Sequence, residues 1–91
     1  MFLLVCYDIP DDRRRSRVGK ILEGYGNRVQ KSVFECDLTP KQIQRLKLRL
    51  MKVIQNPDDS LRYYCLCAQC VGRIEVINGP RPIESQLCFI V

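Results

Sequence analysis

From Phe2 to Ile9 every position is apolar except Asp8. A run this uniform leaves no solvent face and predicts a buried strand over residues 2–9. Pro10 stops it, and Asp11 or Asp12 is placed to cap a helix. Val18, Ile21, Leu22 and Tyr25 then recur at i, i+3, i+4 and i+7, one apolar stripe on that helix. Arg13, Arg14, Arg17 and Lys20 take much of its remaining surface, and Gly24 and Gly26 end it in the manner of a C-cap. Arg28-Val29-Gln30 opens a short strand, interrupted by Lys31-Ser32. From Val33 to Leu38 the pattern alternates, with Phe34, Cys36 and Leu38 on one side and Val33, Glu35 and Asp37 on the other. These two runs predict a hairpin or a sharply bent strand pair.

Thr39-Pro40-Lys41-Gln42 is a helix start: Thr39 as cap, Pro40 at the first helical position, Gln42 completing a capping box. Ile43, Leu46, Leu50, Val53 and Ile54 form its inner face, and Asn56-Pro57-Asp58-Asp59 its stop. Leu61 to Ala68 predicts a further strand, with Gly72 as a turn. Arg73 to Ile77 alternates again, and after the loop at 78–82 an apolar tail runs from Ile83 to Val91. The order β-α-β-β-α-β followed by more strand predicts an α+β, ferredoxin-like domain with two helices on one face of an antiparallel sheet. The 91 residues form one domain, with residues 78–91 as a strand-rich tail. A tail this apolar calls for a cover, either a second copy of the chain or a partner, which makes a homodimer the expected state.

Charge changes the picture next. Lys and Arg number 15 against 10 Asp and Glu, a net charge of +5. The excess is concentrated: residues 37–56 carry five basic groups and one acidic, residues 57–91 three and four. Arg13, Arg14, Arg15 and Arg17, with the ridge Lys41, Arg45, Arg49 and Lys52, are the candidate phosphate contacts. No recognition-helix pattern and no paired aromatic motif accompanies them, so backbone binding is expected rather than base readout. The plain alternative is a solvated helix face that keeps the protein soluble. No run approaches the roughly 18 apolar residues of a membrane helix. The N-terminus lacks a basic secretory lead, so a cytoplasmic protein with reduced thiols is expected.

Asp8 is the candidate catalytic and metal-binding residue. A carboxylate at the end of a core strand is costly unless it is paired, hydrogen-bonded or bound to a cation. It has two readings: a helix cap or arginine partner, or a ligand for Mg²⁺, which takes oxygen donors. One carboxylate is a poor metal site, but a two-fold dimer presents it twice. Two such charges roughly 6 Å apart at an effective dielectric near 20 repel by about 3 kcal/mol, which a shared cation relieves. The chain has no histidine, so Ser-His-Asp and Cys-His nucleophiles are excluded. Any hydrolysis uses a carboxylate, a metal-bound water, or both. Cys65-x-Cys67-x2-Cys70 has one C-x2-C and no second pair. Cys65 and Cys67 are therefore read as small side chains buried on one face of a strand rather than as zinc ligands.

Two stretches resemble a known family. Tyr7-Asp8-Ile9-Pro10-Asp11-Asp12-Arg13-Arg14-Arg15 and Arg28-Val29-Gln30-Lys31-Ser32-Val33-Phe34-Glu35-Cys36 are similar to the two signatures of the small CRISPR-associated (Cas) protein, the second of the two core adaptation proteins, often labelled an endoribonuclease. Length and element order agree with it over essentially the whole chain; the cysteine run at 65–70 departs from it. The resemblance implies a ferredoxin-like homodimer whose C-terminal strands exchange with the partner sheet. It implies a complex in which that dimer bridges the CRISPR integrase, the first core adaptation protein, and holds a DNA duplex. It also implies an Mg²⁺-dependent nuclease activity of some members on RNA or duplex DNA, with Asp8 as the matching metal ligand. The basic helices carry over as a DNA-contact surface; the apolar tail from Leu87 to Val91 is, on its composition alone, the expected integrase contact. The competing expectation is a stand-alone, toxin-like metal-dependent endoribonuclease.

Overall fold

The structure, a computed structural model, describes residues 1–54 and 57–79. Strand β1 (Phe2–Asp8) leads through Pro10 into helix α1 (Asp12–Glu23). Strands β2 (Asn27–Gln30) and β3 (Val33–Asp37) form the hairpin, α2 (Pro40–Val53) crosses back, and β4 (Ser60–Leu66) completes the sheet. The strand order is β2-β3-β1-β4, with every pairing antiparallel. This is the α+β, ferredoxin-like arrangement expected from the element order.

Interior strand β1 pairs with both β3 and β4, so its side chains must serve two faces. Leu3, Val5 and Tyr7 point into the core under the helices. Phe34 and Cys36 of β3, Val18 and Leu22 of α1, and Leu46 and Leu50 of α2 meet them there, all six fully buried. Asp11 caps α1 by accepting from the Arg14 N–H, 2.9 Å away. Thr39 and Gln42 close the capping box of α2 in both directions, at 3.2 and 2.9 Å. Gly24 does end α1, but with right-handed backbone (φ −78°), so left-handed geometry is not why glycine stands there. Gly26 is required by space. A Cβ on it would lie 2.3 Å from the Glu35 carbonyl oxygen and 2.5 Å from the Cys36 sulfur.

The chain beyond β4 departs from expectation. The strand stops at Leu66 rather than Ala68, and a short helix, α3 (Ala68–Gly72), takes the place of the turn at Gly72. Cys65 and Cys67 are exposed, not buried: Cys65 lies on the outer strand β4, and Cys67 has left the strand to become the cap residue of α3. Residues 73–77 alternate in sequence yet form no strand. Alternation gives a segment two faces, but a strand also needs a hydrogen-bonded neighbour, and residues 73–77 pair with neither of the outer strands β2 and β4. Instead Val71 and Ile74 fold onto Phe2 and Leu66, covering that end of the sheet face opposite α1 and α2. The tail from Ile83 to Val91 lies outside the described residues.

Two outcomes follow. Gly26→Ala should destabilise the fold by roughly 1–3 kcal/mol in chemical denaturation, because backbone and core sulfur must both shift. The Asp11 carboxyl is held below its ordinary range, chiefly by the Arg14 amide. A depressed folded value means that the cap's ionic contribution is present above the unfolded carboxyl range, about pH 4, and is lost as pH falls through the folded value. Asp11→Asn should therefore keep the cap and flatten the acid limb of stability against pH, whereas Asp11→Ala should lower stability at neutral pH as well.

Candidate nucleic-acid and metal site

Even-numbered residues of β1 face away from the helices. Phe2 is covered by α3; Asp8, at the other end, is exposed. The cost of a buried carboxylate is thus never incurred, and the helix cap is Asp11, not Asp8. Among the described residues no ion pair or hydrogen bond engages the Asp8 carboxylate. It opens onto a hollow of about 250 Å³ that Cys6, Tyr7, Ser60 and Arg62 also line. Ser60 stands there because its Cα is the register partner of Asp8 across β1 and β4. Arg62 donates to the Tyr64 hydroxyl at 3.3 Å, which turns its guanidinium along β4.

A second hollow, about 340 Å³, adjoins the same strand end and shares Tyr7 as a wall. Arg15, Ser16, Arg28, Lys31 and Ser32 complete it, three cations with two hydroxyls. The turn is anchored from β1: the Tyr7 N–H donates to the Ser32 carbonyl at 3.1 Å and the Tyr7 hydroxyl to the Lys31 carbonyl at 3.3 Å. Arg28 lies 4.8 Å above the Phe34 ring and donates to the Lys31 carbonyl. Gly19 leaves it room: a Cβ there would sit 2.8 Å from the Arg28 guanidinium.

The cations expected on the helices divide by the work they already do. Arg14 donates from Nε to Asp59 at 2.9 Å and from Nη2 at 3.3 Å, and the Asp59 side chain has no exposed surface. That contact raises the Arg14 pKa further. Arg15 donates to the Ile9 and Pro10 carbonyls and pairs with Asp12. Arg49 lies 5.7 Å from the Tyr25 ring and donates to its hydroxyl at 3.4 Å. Arg13, Arg17, Lys41 and Arg45 are exposed and hold no ion pair among the described residues; Lys52 is exposed on the last turn of α2. Ser60, Arg62, Arg28 and Lys31 were missed by sequence reasoning. Register alone brings the first pair to Asp8. Arg28 and Lys31 stood in the second signature but carried no role there.

A family model described as "CRISPR associated protein Cas2" matches residues 1–74. The chain belongs to the Cas2 family. It is 47% identical over 93 aligned positions, covering all of both chains, to "CRISPR-associated endoribonuclease Cas2 1" of Chloroflexus aurantiacus. Among solved structures it resembles Cas2 of Streptococcus pyogenes, with a TM-score of 0.75 and 37% identity over 86% of this chain and 100% of that one. It also resembles a chain of a "Partial Cas6-RT-Cas1–Cas2 complex", with a TM-score of 0.72 and 31% identity over 90% and 94%. The resemblance carried by the two signatures is borne out over the full length.

The Asp8 carboxylate and the Ser60 hydroxyl, which line one hollow, are oxygen groups of the kind that Mg²⁺ takes as ligands. No group of three or more metal-ligating side chains occurs among the described residues, so a single copy is a weak cation site. No helix of the described residues is long and apolar enough to cross a membrane.

The division of the arginines is testable by stability alone. Arg14→Ala should lower the thermal midpoint, since it strands the enclosed Asp59 carboxylate, while Arg13→Ala and Arg17→Ala should leave it unchanged. Differential scanning fluorimetry of the three variants reads the difference.

Proposed function

We propose that this chain is a CRISPR adaptation protein that acts as a homodimer, binds duplex DNA through its basic surface and bridges the CRISPR integrase. The observation that carries the reading is the adjacency at the end of β1. A bare carboxylate opens on one side of Tyr7, and a hollow with three cations and two hydroxyls opens on the other. A phosphodiester seated on Arg15, Arg28 and Lys31 would lie at the same end of β1 as Asp8, across Tyr7 from it. The free cations Arg13, Arg17, Lys41 and Arg45 extend the positive surface over α1 and α2, and Arg14, Arg49 and Lys52 border it. Arg14 contributes mainly by holding α1 in place through Asp59. A complex containing Cas1 and Cas2 chains, one of which this fold resembles, favours the integrase as partner.

Pairing two copies across the open sheet face supplies what one copy lacks. Leu4, Cys6 and Val33 are partly buried on that face and Tyr64 is exposed. Covering it brings two Asp8 carboxylates toward a common axis, where Mg²⁺ offsets their repulsion. The bound cation would lower the pKa of a water for phosphodiester attack. A second reading, a nuclease acting without the integrase, is favoured by the endoribonuclease and endonuclease names of the relatives.

Asp8→Asn separates the two. On the adaptation reading, the variant remains a dimer by light scattering, binds duplex with unchanged affinity and supports integrase-dependent insertion, while Mg²⁺-dependent cleavage falls to background. Loss of insertion together with cleavage would instead make catalysis by this chain its role. With about five phosphates contacted per protomer, log K against log salt should fall with a slope near roughly −4.5. A flat salt dependence would remove the duplex from the proposal.

A further inference from the structure

Cys67 and Cys70 take no part in the site described above. Both are exposed free thiols. They stand three residues apart across the first turn of α3, a spacing that puts side chains on one face. Cys67 is the cap residue, with extended backbone (φ −74°, ψ 167°), and its side chain makes no cap hydrogen bond. The cap position and the third residue after it are neighbours on the helix surface, so the two thiols stand side by side. Cys67 also lines a hollow of about 200 Å³ with Met1, Phe2, Asp37, Leu66 and Val71. Cys65, although exposed, lies on β4 and joins no group of three metal-ligating side chains with them, so two sulfurs act here rather than a metal-binding set.

We propose that Cys67 and Cys70 form a dithiol site that small-molecule disulfides of the glutathione class oxidise to an intrachain disulfide. The Cys67 thiolate attacks one sulfur of the disulfide, forming a mixed disulfide and expelling one thiolate. The Cys70 thiolate then attacks the Cys67 sulfur, closing the Cys67–Cys70 bond and expelling the second. Two protein thiols and one small disulfide thus become one protein disulfide and two small thiols; the protein loses two protons and two electrons. The order follows from the environment. The Cys67 thiol is held below its ordinary range by the Cys70 amide and thiol, while its partner's proximity raises Cys70. Cys36 cannot compete, because burial pushes its thiol up to about 11 and encloses it. Closing the bond ties the cap to the first turn of α3, the helix whose Val71 covers Phe2.

The test equilibrates the full chain with graded ratios of oxidised to reduced glutathione, quenches by acid, alkylates and maps the peptides. The expected product has lost two hydrogens by intact mass, carries no glutathione, bridges Cys67 to Cys70 and returns to the dithiol in excess reduced glutathione. Cys70→Ser should halt at the first step, with glutathione retained on Cys67 several-fold more than on Cys65. Cys67→Ser should leave Cys70 no more modified than Cys65. A bridge involving other cysteines would overturn the proposal. So would adduct on Cys65 equal to that on Cys67 in Cys70→Ser, or both thiols remaining alkylatable in fully oxidised glutathione. The readout is chemical, so it stands whether or not the chain binds DNA.

Discussion

Strand β1 is hydrogen-bonded along both edges, and the rest of the molecule is arranged around that constraint. A strand with two neighbours cannot rotate, so its alternate side chains are committed to opposite faces. Leu3, Val5 and Tyr7 are driven into the helix layer, and Phe2, Leu4, Cys6 and Asp8 are left on the other side. Burial on the first set holds the strand in register; the same register sets Ser60 against Asp8. Asp8 owes its exposure to this division. It needs no internal partner because it is not in the core.

Tyr7 links the two halves of the strand's end. Its ring packs in the core at 6.3 Å from Phe34, and its backbone and hydroxyl fix the Lys31-Ser32 turn. The basic hollow is therefore built on buried aromatic packing rather than on flexible loop. Arg15 helps from the helix side by donating to the carbonyls that join β1 to α1. The positive charge of this protein is consequently of two kinds. Arg14 is consumed in holding the chain before β4 against α1 through Asp59. Arg13, Arg17, Lys41 and Arg45 do nothing for the fold of the described residues and contribute to its field.

The face of the sheet away from α1 and α2 is unevenly covered. Helix α3 and Ile74 protect the Phe2 end. Val76 to Gly79 pass beside Arg28, Val29, Gln30 and Glu35, enclosing the Glu35 carboxyl enough for desolvation to raise its pKa. Arg62, beside Asp8, and Tyr64, opposite Leu4, stay exposed. An apolar strip with a carboxylate at its rim is what an isologous pairing would use, and α3 borders it at the Phe2 end.

Sequence by itself determined the elements with strong local signals. The Thr39–Gln42 capping box, the apolar stripe of α1, the alternation of Val33 to Leu38 and the order of the first six elements all follow from short-range chemistry, which a single chain spells out. The two signatures likewise marked the family without a fold. Tertiary structure alone decided what depends on distant partners. Asp8 read as a core carboxylate until the β1–β4 register gave it to solvent. Arg14 looked like its neighbours until Asp59, 45 residues away, claimed it. Residues 73–77 have the alternation of a strand but pair with no neighbour, and Cys67 reads as strand until the chain turns at Leu66 to lay Val71 on Phe2. Periodicity records which side of a segment is apolar; what lies across from that side is a property of the folded chain.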